Sequence, residues 1–138
     1  MNWQHRIAAT YPLFSGLIFL GLGLITLFRP EILEYYGISA DSGSARTAIR
    51  AMIGGGEVGI GIVMLGGGRL GFSVSQRCTL AATIFFCVGL ARLLSAGFEG
   101  NPYLTSQPLR EASIELGLGC FGVLAAARNR RVDLSSSN

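Results

Sequence analysis

The strongest constraint on the fold is a long apolar stretch near the start of the chain. Between Arg6 and Arg29 stand 22 consecutive uncharged residues, IAATYPLFSGLIFLGLGLITLF. A helix that crosses the hydrocarbon core of a bilayer needs about 20 such residues. A cleaved signal peptide has a shorter apolar region and a small-x-small cleavage site, and the sequence FRPEI that follows offers no such site. We therefore expect this segment to remain as a membrane anchor.

Three more apolar segments follow, and each contains one ionisable residue: Glu57 in the second segment, Arg92 in the third and Glu115 in the fourth. Helices are expected, because an open strand edge in lipid would leave backbone groups unpaired. The sequence thus predicts an all-α fold, an integral membrane four-helix bundle that forms a single transmembrane domain over residues 1–138. The predicted spans cover about residues 8–28, 47–68, 78–97 and 112–127.

The composition indicates that lipid rather than water surrounds most of the chain. Charged residues make up 14% of the sequence and the mean hydropathy is +0.49, whereas soluble domains carry about 25% charged residues. The arginines form no patch interleaved with aromatic residues, so we expect no nucleic-acid partner. Cys78, Cys87 and Cys120 lack metal-binding spacing, and we interpret them as buried packing thiols. We expect neither a metal nor a cofactor.

The distribution of arginines predicts the orientation of the chain. One side of the predicted bundle carries arginines with Asp133 as its only acid, and the other side mixes arginines with several acids and tyrosines. Because cytoplasmic loops are enriched in basic residues, both termini should face the cytoplasm. We expect a multi-pass protein of a cell inner membrane. The arginines on the predicted cytoplasmic side are Arg6, Arg69, Arg77, Arg128, Arg130 and Arg131.

The ionisable residues of the last three spans lie at similar depths. From the nearest arginine of the inner boundary, Glu57 and Glu115 are about 18 and 20 Å away along their helices, and Arg92 is about 22 Å away. The guanidinium fork suits two carboxylates. The sequence therefore predicts a buried cluster of Glu57, Arg92 and Glu115, with Arg50 above it at the interface.

The predicted cluster has two interpretations. It either fixes only the register and packing of the helices, or it forms a candidate ligand site. Arg92 has an alternative of its own, since its side chain can reach the outer interface without a partner. Two carboxylates and one arginine leave an excess negative charge, so either one carboxylate is protonated or Arg50 contributes. The protonation of Glu57 and Glu115 stays open.

Glycines line the faces that carry these charges and also other faces. The pattern Gly55-xxx-Gly59 in the second span and Ser113-xxx-Gly117 in the fourth lies away from the glutamates. Small residues at this spacing let helix backbones approach closely, either within the bundle or between protomers. The predicted helix-packing residues are Gly54, Gly55, Gly59, Gly61, Gly117, Gly119 and Gly122.

Two glutamates begin five-residue segments of nearly the same sequence, EVGIG at 57–61 and ELGLG at 115–119. The match favours an internal repeat of helical hairpins related by an axis along the membrane normal, as occurs in transporters. Against the repeat, 27 residues separate Pro30 from Glu57 but only 13 separate Pro102 from Glu115. Both possibilities remain open.

Three stretches carry a resemblance to a known family: SARTAIRAMIGGGEVGIGIVML, GLARLLSAGFEGNP and EASIELGLG. They resemble DUF4345, a bacterial family of small four-span membrane proteins of unknown function that is distantly similar to DoxX-like bundles. The resemblance covers most of the chain. It implies the fold and a bacterial inner membrane, and it implies no activity.

The sequence favours a non-enzymatic accessory or interaction subunit, in a larger membrane complex or a homo-oligomer, because it carries no nucleophile, metal-ligand or cofactor motif. The alternative is a binder, a proton-coupled carrier or an enzyme for a small apolar or lipid-like ligand that uses the carboxylate pair. Whether the protein is an enzyme stays open, and the motif content favours a protein that is not.

Overall fold

The computed structural model of the protein describes residues 3–99 and 106–135, and side chains within 10–98 and 107–130. All secondary structure in these ranges is helical, which confirms the predicted all-α fold. The elements are, in order, α1 (Trp3–Phe28), a 3-10 helix (Pro30–Tyr36), α2 (Gly43–Ile49), a π-helical turn (Arg50–Gly55), α3 (Gly56–Gly66), a second 3-10 helix (Gly67–Leu70), α4 (Val74–Glu99) and α5 (Ser106–Ser135).

Each predicted span lies inside a longer helical stretch. Hydropathy marks only the apolar part of a helix, whereas the helix continues until its terminal backbone groups find other partners. The stretch from α2 to the second 3-10 helix shows such an end at each side. Ser42 caps it by accepting a hydrogen bond of 3.0 Å from the Ala45 N–H, and Gly71, with φ of +84°, ends it.

Three helical stretches in the described part of the chain are long and apolar enough to cross a membrane: Thr10–Phe28, Gly43–Leu70 and Val74–Phe98. The fourth predicted span lies on α5 and does not reach the same standard. Its apolar part is interrupted by Glu115 and bounded by Arg128, which lowers the hydropathy of the whole stretch. That α5 also crosses the membrane stays a prediction.

The chain divides into two compact units. The first unit is Pro12–Phe72, in which α1 from Pro12 onward packs against the Gly43–Leu70 stretch. The second unit consists of Met1–Tyr11 and Ser73–Asn138, in which α4 packs against α5. Each unit is thus built around a helical hairpin. The single transmembrane domain over residues 1–138 stays a prediction.

The two hairpins are connected internally in different ways. In the first unit the chain leaves α1 through the 3-10 helix Pro30–Tyr36, where proline suits the first turn because it has no N–H to leave unpaired. Gly37 ends this helix with φ of +73°, a left-handed conformation that favours glycine. In the second unit the α4–α5 connection includes residues 100–105, which lie outside the described ranges.

Candidate functional site

Arg92 of α4 holds two carboxylates of α5. Its Nη1 lies 2.8 Å from Glu111 Oε2, and its Nε lies 3.0 Å from Glu115 Oε1. Glu111 and Glu115 are four residues apart, so their side chains stand one above the other on one face of α5. A planar guanidinium can bind two carboxylates at once through separate N–H groups. The structure thus forms a three-residue charged network within the second unit.

The network is only partly buried. The side chain of Arg92 is 31% exposed, that of Glu111 is 18% exposed and that of Glu115 is 16% exposed. It therefore lies at the edge of the α4–α5 seam rather than inside it. This corrects the prediction of a buried Glu/Arg cluster, since depth along a helix axis says nothing about how far a side chain is covered from the side.

Sequence reasoning missed Glu111 as a partner of Arg92. The predicted fourth span begins at Ala112, so Glu111 lies just outside it. In the structure α5 begins at Ser106, and Glu111 lies within its second turn. The spacing of four residues to Glu115 is the signal in the sequence that could have identified it.

Glu57 belongs to the first unit and faces α1. Its Cβ would lie 2.9 Å from a Cβ added at Gly23, so the glutamate stands directly against the glycine face of α1. Its Oε2 atom is buried and makes no hydrogen bond to the residues that the structure describes. A buried carboxylate oxygen without a partner is costly, which makes this position a candidate site for a proton or a polar group.

Arg50 stabilises the end of α1. It begins the π-helical turn, and its Nε donates a hydrogen bond of 2.9 Å to the carbonyl oxygen of Leu27. Leu27 lies in the last turn of α1, where carbonyl groups have no partner within their own helix. A cation is also favoured there by the helix dipole. Arg50 thus connects the π-helical turn to the carboxyl-terminal end of α1.

The four predicted site residues are therefore divided between the units. Arg92 and Glu115 are in direct contact in the second unit, while Glu57 and Arg50 each contact α1 in the first unit. A cluster of all four residues stays a prediction. Chemically, Arg92 is already held by two anionic partners, and Glu57 keeps one carboxylate oxygen without a partner in the described part of the molecule.

Glycines allow α1 to approach the Gly43–Leu70 stretch closely, and we call the contact between these two helices the first seam. A Cβ added at Gly61 would lie 2.7 Å from the backbone nitrogen of Leu20, and one added at Gly23 would lie 2.6 Å from the nitrogen of Val58. Gly54 likewise lies against Leu27. Because the obstructing atoms belong to the backbone, no side-chain movement can make room for a larger residue.

The contact between α4 and α5, the second seam, repeats this arrangement. Gly119 lies against the ring of Phe86, and Gly89, three residues after Phe86, lies against Leu116. In the first seam Gly23 likewise follows Leu20 by three residues. On the second helix of each seam, these contacts include the second and fifth residues of EVGIG and of ELGLG. The two hairpins therefore pack in the same register.

The third residue of each motif faces away from its own hairpin. In the described part of the chain, no atom beyond the neighbouring residues and backbone of its own helix lies within 4 Å of a Cβ added at Gly59 or at Gly117, and at Gly55 the nearest is the Arg50 carbonyl oxygen, at 3.5 Å. Gly122, in contrast, lies against Ala82 and Tyr11. Of the predicted packing glycines, four thus line a seam, and the packing role of the other three stays a prediction. The four are Gly54, Gly61, Gly119 and Gly122.

The sequence pattern of the domain of unknown function DUF4345 matches residues 7–126, which include both seams and the Arg92 network. The chain belongs to DUF4345. No curated protein and no solved structure matches it. The family resemblance inferred from the sequence is confirmed, while the similarity to DoxX-like bundles and the bacterial origin stay predictions.

The cysteines of this DUF4345 chain differ from one another. Cys78 is buried, whereas Cys87 and Cys120 are exposed. The interpretation of all three as buried packing thiols was therefore wrong for Cys87 and Cys120. Hydropathy could not separate them, because an apolar helix has no polar face that would show which side points outward.

Proposed function

We propose that this protein is a multi-pass protein of a cell inner membrane that acts as a non-enzymatic accessory or interaction subunit. Its outward-facing glycines would dock on a helix of a partner, which is either another polypeptide or a second copy of the chain. Three helical stretches of sufficient length and apolar character support the membrane location. The arginine distribution supports the orientation with both termini in the cytoplasm.

The observation that carries the proposal is the position of Gly59 and Gly117. Glycine in a helix interior is less favourable than alanine by about 0.5–1 kcal/mol. The seam glycines recover this cost through close contact between helices, but Gly59 and Gly117 have no such contact in their own hairpins. In lipid, small residues on a helix surface let another helix approach closely. The two glycines also hold the same place in EVGIG and ELGLG.

The surroundings of these glycines suit a helix partner in lipid. Ile62 lies near Gly59 and is 53% exposed, and Ile114 lies near Gly117 and is 57% exposed. Ser113, one helical turn before Gly117, is also exposed. Each outward face thus combines small residues that permit close approach with apolar side chains that can pack beside the contact.

The charged network also favours a structural role. Arg92 is bound by Glu111 and Glu115 of the neighbouring helix, so these groups already satisfy one another. Such a network fixes the register of α4 against α5. A rigid hairpin with a defined register presents its outward face in a constant geometry, which an interaction subunit needs.

The test is the mass of the assembly in native lipid. Gly59→Ile and Gly117→Ile place a bulky side chain on the outward faces. Gly21→Ile is the matched control, because Gly21 also has open space but is flanked four residues away by Leu17 and Ile25. Native mass spectrometry should show wild type and Gly21→Ile in a stoichiometric assembly that Gly59→Ile or Gly117→Ile loses. A wild-type chain that is monomeric and alone in native lipid would contradict the proposal.

A second candidate function rests on Glu57. Its buried Oε2, which has no hydrogen-bond partner among the described residues, favours a binder, a proton-coupled carrier or an enzyme for a small apolar or lipid-like ligand. Glu115 contributes less to such a site than the sequence implied, because Arg92 already binds it. In proteoliposomes containing a pH-sensitive dye, Glu57→Gln should abolish proton flux while Arg110→Gln preserves it. Absence of flux in the wild type would exclude the carrier.

A further inference from the structure

The second unit contains a groove that the Arg92 network does not use. It has a volume of about 370 Å³ and lies between α4 and α5. Phe86, the lining residue of α4 nearest to Arg92, stands six residues before it, so the groove ends about 9 Å short of the network along the helix. The lining residues used below are Thr79, Thr83 and Phe86 of α4, and Val123, Ala126 and Arg130 of α5.

The wall of the groove is apolar although two threonines contribute to it. The hydroxyl of Thr79 donates to the carbonyl of Ser75 at 3.0 Å, and that of Thr83 donates to the carbonyl of Thr79 at 2.9 Å. Both hydroxyls are thus satisfied within α4. The groove extends over the seven residues between Val123 and Arg130, or about 10 Å. An apolar groove of this length suits part of a hydrocarbon chain.

Arg130 stands at one end of the groove in a fixed position. Its Nε donates to the Ser75 hydroxyl at 3.3 Å, and that hydroxyl donates to the carbonyl of Ala126 at 3.1 Å. A guanidinium has five N–H donors, and this bond uses one of them. The remaining donors suit the oxygens of a phosphate, which arginine binds in a bidentate manner.

The charge at this end of the hairpin is positive. Arg77 precedes the groove on α4, and Arg128, Arg130 and Arg131 lie near the end of α5, whereas Asp133 is the only acid in residues 73–77 and 128–138. Even if Asp133 neutralises one arginine, three positive charges remain. Basic pockets between membrane helices are known to bind anionic lipid headgroups.

We propose that the groove binds an anionic phospholipid, with its phosphate on Arg130 and one acyl chain against Thr83 and Phe86. The combination of an anchored guanidinium, a positive surrounding charge and an apolar groove carries the proposal. It goes beyond the accessory role and does not depend on it, because the bound lipid is a component of the surrounding bilayer and not a protein partner.

The test measures lipid retention by native mass spectrometry after release from nanodiscs of phosphatidylglycerol or phosphatidylcholine. Wild type should retain phosphatidylglycerol at least about tenfold more than phosphatidylcholine. Arg130→Gln should lose this preference, and Arg130→Lys should keep part of it. Arg128→Gln is the matched control, because it removes a charge at the same end outside the groove, and it should change retention by no more than about fivefold.

A second variant tests the acyl chain separately from the charge. Thr83→Phe fills the groove at an exposed position and leaves every charge in place. It should reduce phosphatidylglycerol retention without changing the helical content measured by circular dichroism. Equal losses for Arg130→Gln and Arg128→Gln would overturn the proposal, because the attraction would then be diffuse. Unchanged retention in Thr83→Phe, or displacement of the lipid by millimolar inorganic phosphate, would overturn it as well.

Discussion

Arg92 and Glu57 show two opposite ways in which an apolar helical stretch can carry an ionisable side chain. Arg92 lies between two carboxylates at distances of 2.8 and 3.0 Å, so its charge is satisfied by protein. Glu57 presents a buried carboxylate oxygen that has no hydrogen-bond partner in the described part of the chain. Removal of the Arg92 charge should therefore lower the free energy of unfolding, whereas removal of the Glu57 charge should not.

Arg92→Gln should destabilise the α4–α5 hairpin. The change removes the only cation that contacts the adjacent carboxylates of Glu111 and Glu115 in the described structure, and these carboxylates then repel each other. The expected loss in the free energy of unfolding is about 1–2 kcal/mol, because the network is partly exposed. Unfolding in mixed micelles with increasing dodecyl sulfate measures it, with Arg110→Gln as the control. Equal stabilities of wild type and Arg92→Gln would contradict the assignment.

Glu57→Gln and Glu115→Gln should have different effects on the free energy of unfolding. Replacement of Glu57 by a neutral amide removes a carboxylate whose buried Oε2 has no hydrogen-bond partner among the described residues, so the variant should be as stable as wild type or more stable. Replacement of Glu115 weakens a charged contact with Arg92 and should cost about 1 kcal/mol. The same micelle titration compares the two variants. A larger loss for Glu57→Gln would show that this carboxylate has a partner essential for the fold.

Each hairpin is held by a seam in which backbones approach closely at glycine. The closest approaches are at Gly23 and Gly61 in the first unit, where an added Cβ would meet backbone atoms at 2.6 and 2.7 Å. In the second unit the nearest atoms opposite the corresponding glycines belong to the side chains of Leu116 and Phe86, and at Gly89 the nearest backbone atom, the Ala112 carbonyl oxygen, lies at 3.3 Å. The first seam is thus the less tolerant of the two, because backbone atoms cannot rotate away as side chains can.

Gly61→Ala should destabilise the first hairpin, while Gly59→Ala should not. The added methyl at position 61 meets the Leu20 backbone, and forced overpacking costs about 1–3 kcal/mol. At position 59 the methyl enters open space in its own hairpin, and alanine is the better helix former by about 0.5–1 kcal/mol. Thermal unfolding monitored by circular dichroism distinguishes the variants. Similar melting temperatures for both would contradict the observed seam.

Particular residues show how far the sequence predicts these elements. Hydropathy located all four helical stretches, and matched depths along the helices brought Arg92 together with Glu115. The contact of Glu111 with Arg92 was not predicted, because α5 begins six residues before its apolar stretch, at Ser106. The π-helical turn at Arg50–Gly55 was not predicted either, since its wider turn depends on how the chain packs and leaves no periodic signal in six residues.

Across the whole chain, the match between EVGIG and ELGLG corresponds to equivalent packing. Both motifs place a glutamate first, an outward glycine third and a seam glycine fifth. The unequal distances from proline to glutamate lose their weight as an objection, because the first hairpin holds a 3-10 helix and α2 in its connection. In this register Thr26 is the counterpart of Arg92, which explains why Glu57 has no arginine opposite it. The internal repeat stays a prediction, and the shared register supports it.

The four-span fold requires that α5 crosses the bilayer, because two membrane-spanning hairpins make four crossings. Four crossings place both termini on one side of the membrane, whereas three place them on opposite sides. The direct measurement is the labelling of single cysteines introduced at Asn2 and Asn138 by a membrane-impermeant maleimide in intact cells, with Cys78, Cys87 and Cys120 replaced by alanine. We predict that neither terminus is labelled until the cells are opened. Labelling of the carboxyl-terminal cysteine alone in intact cells would contradict the four-span fold.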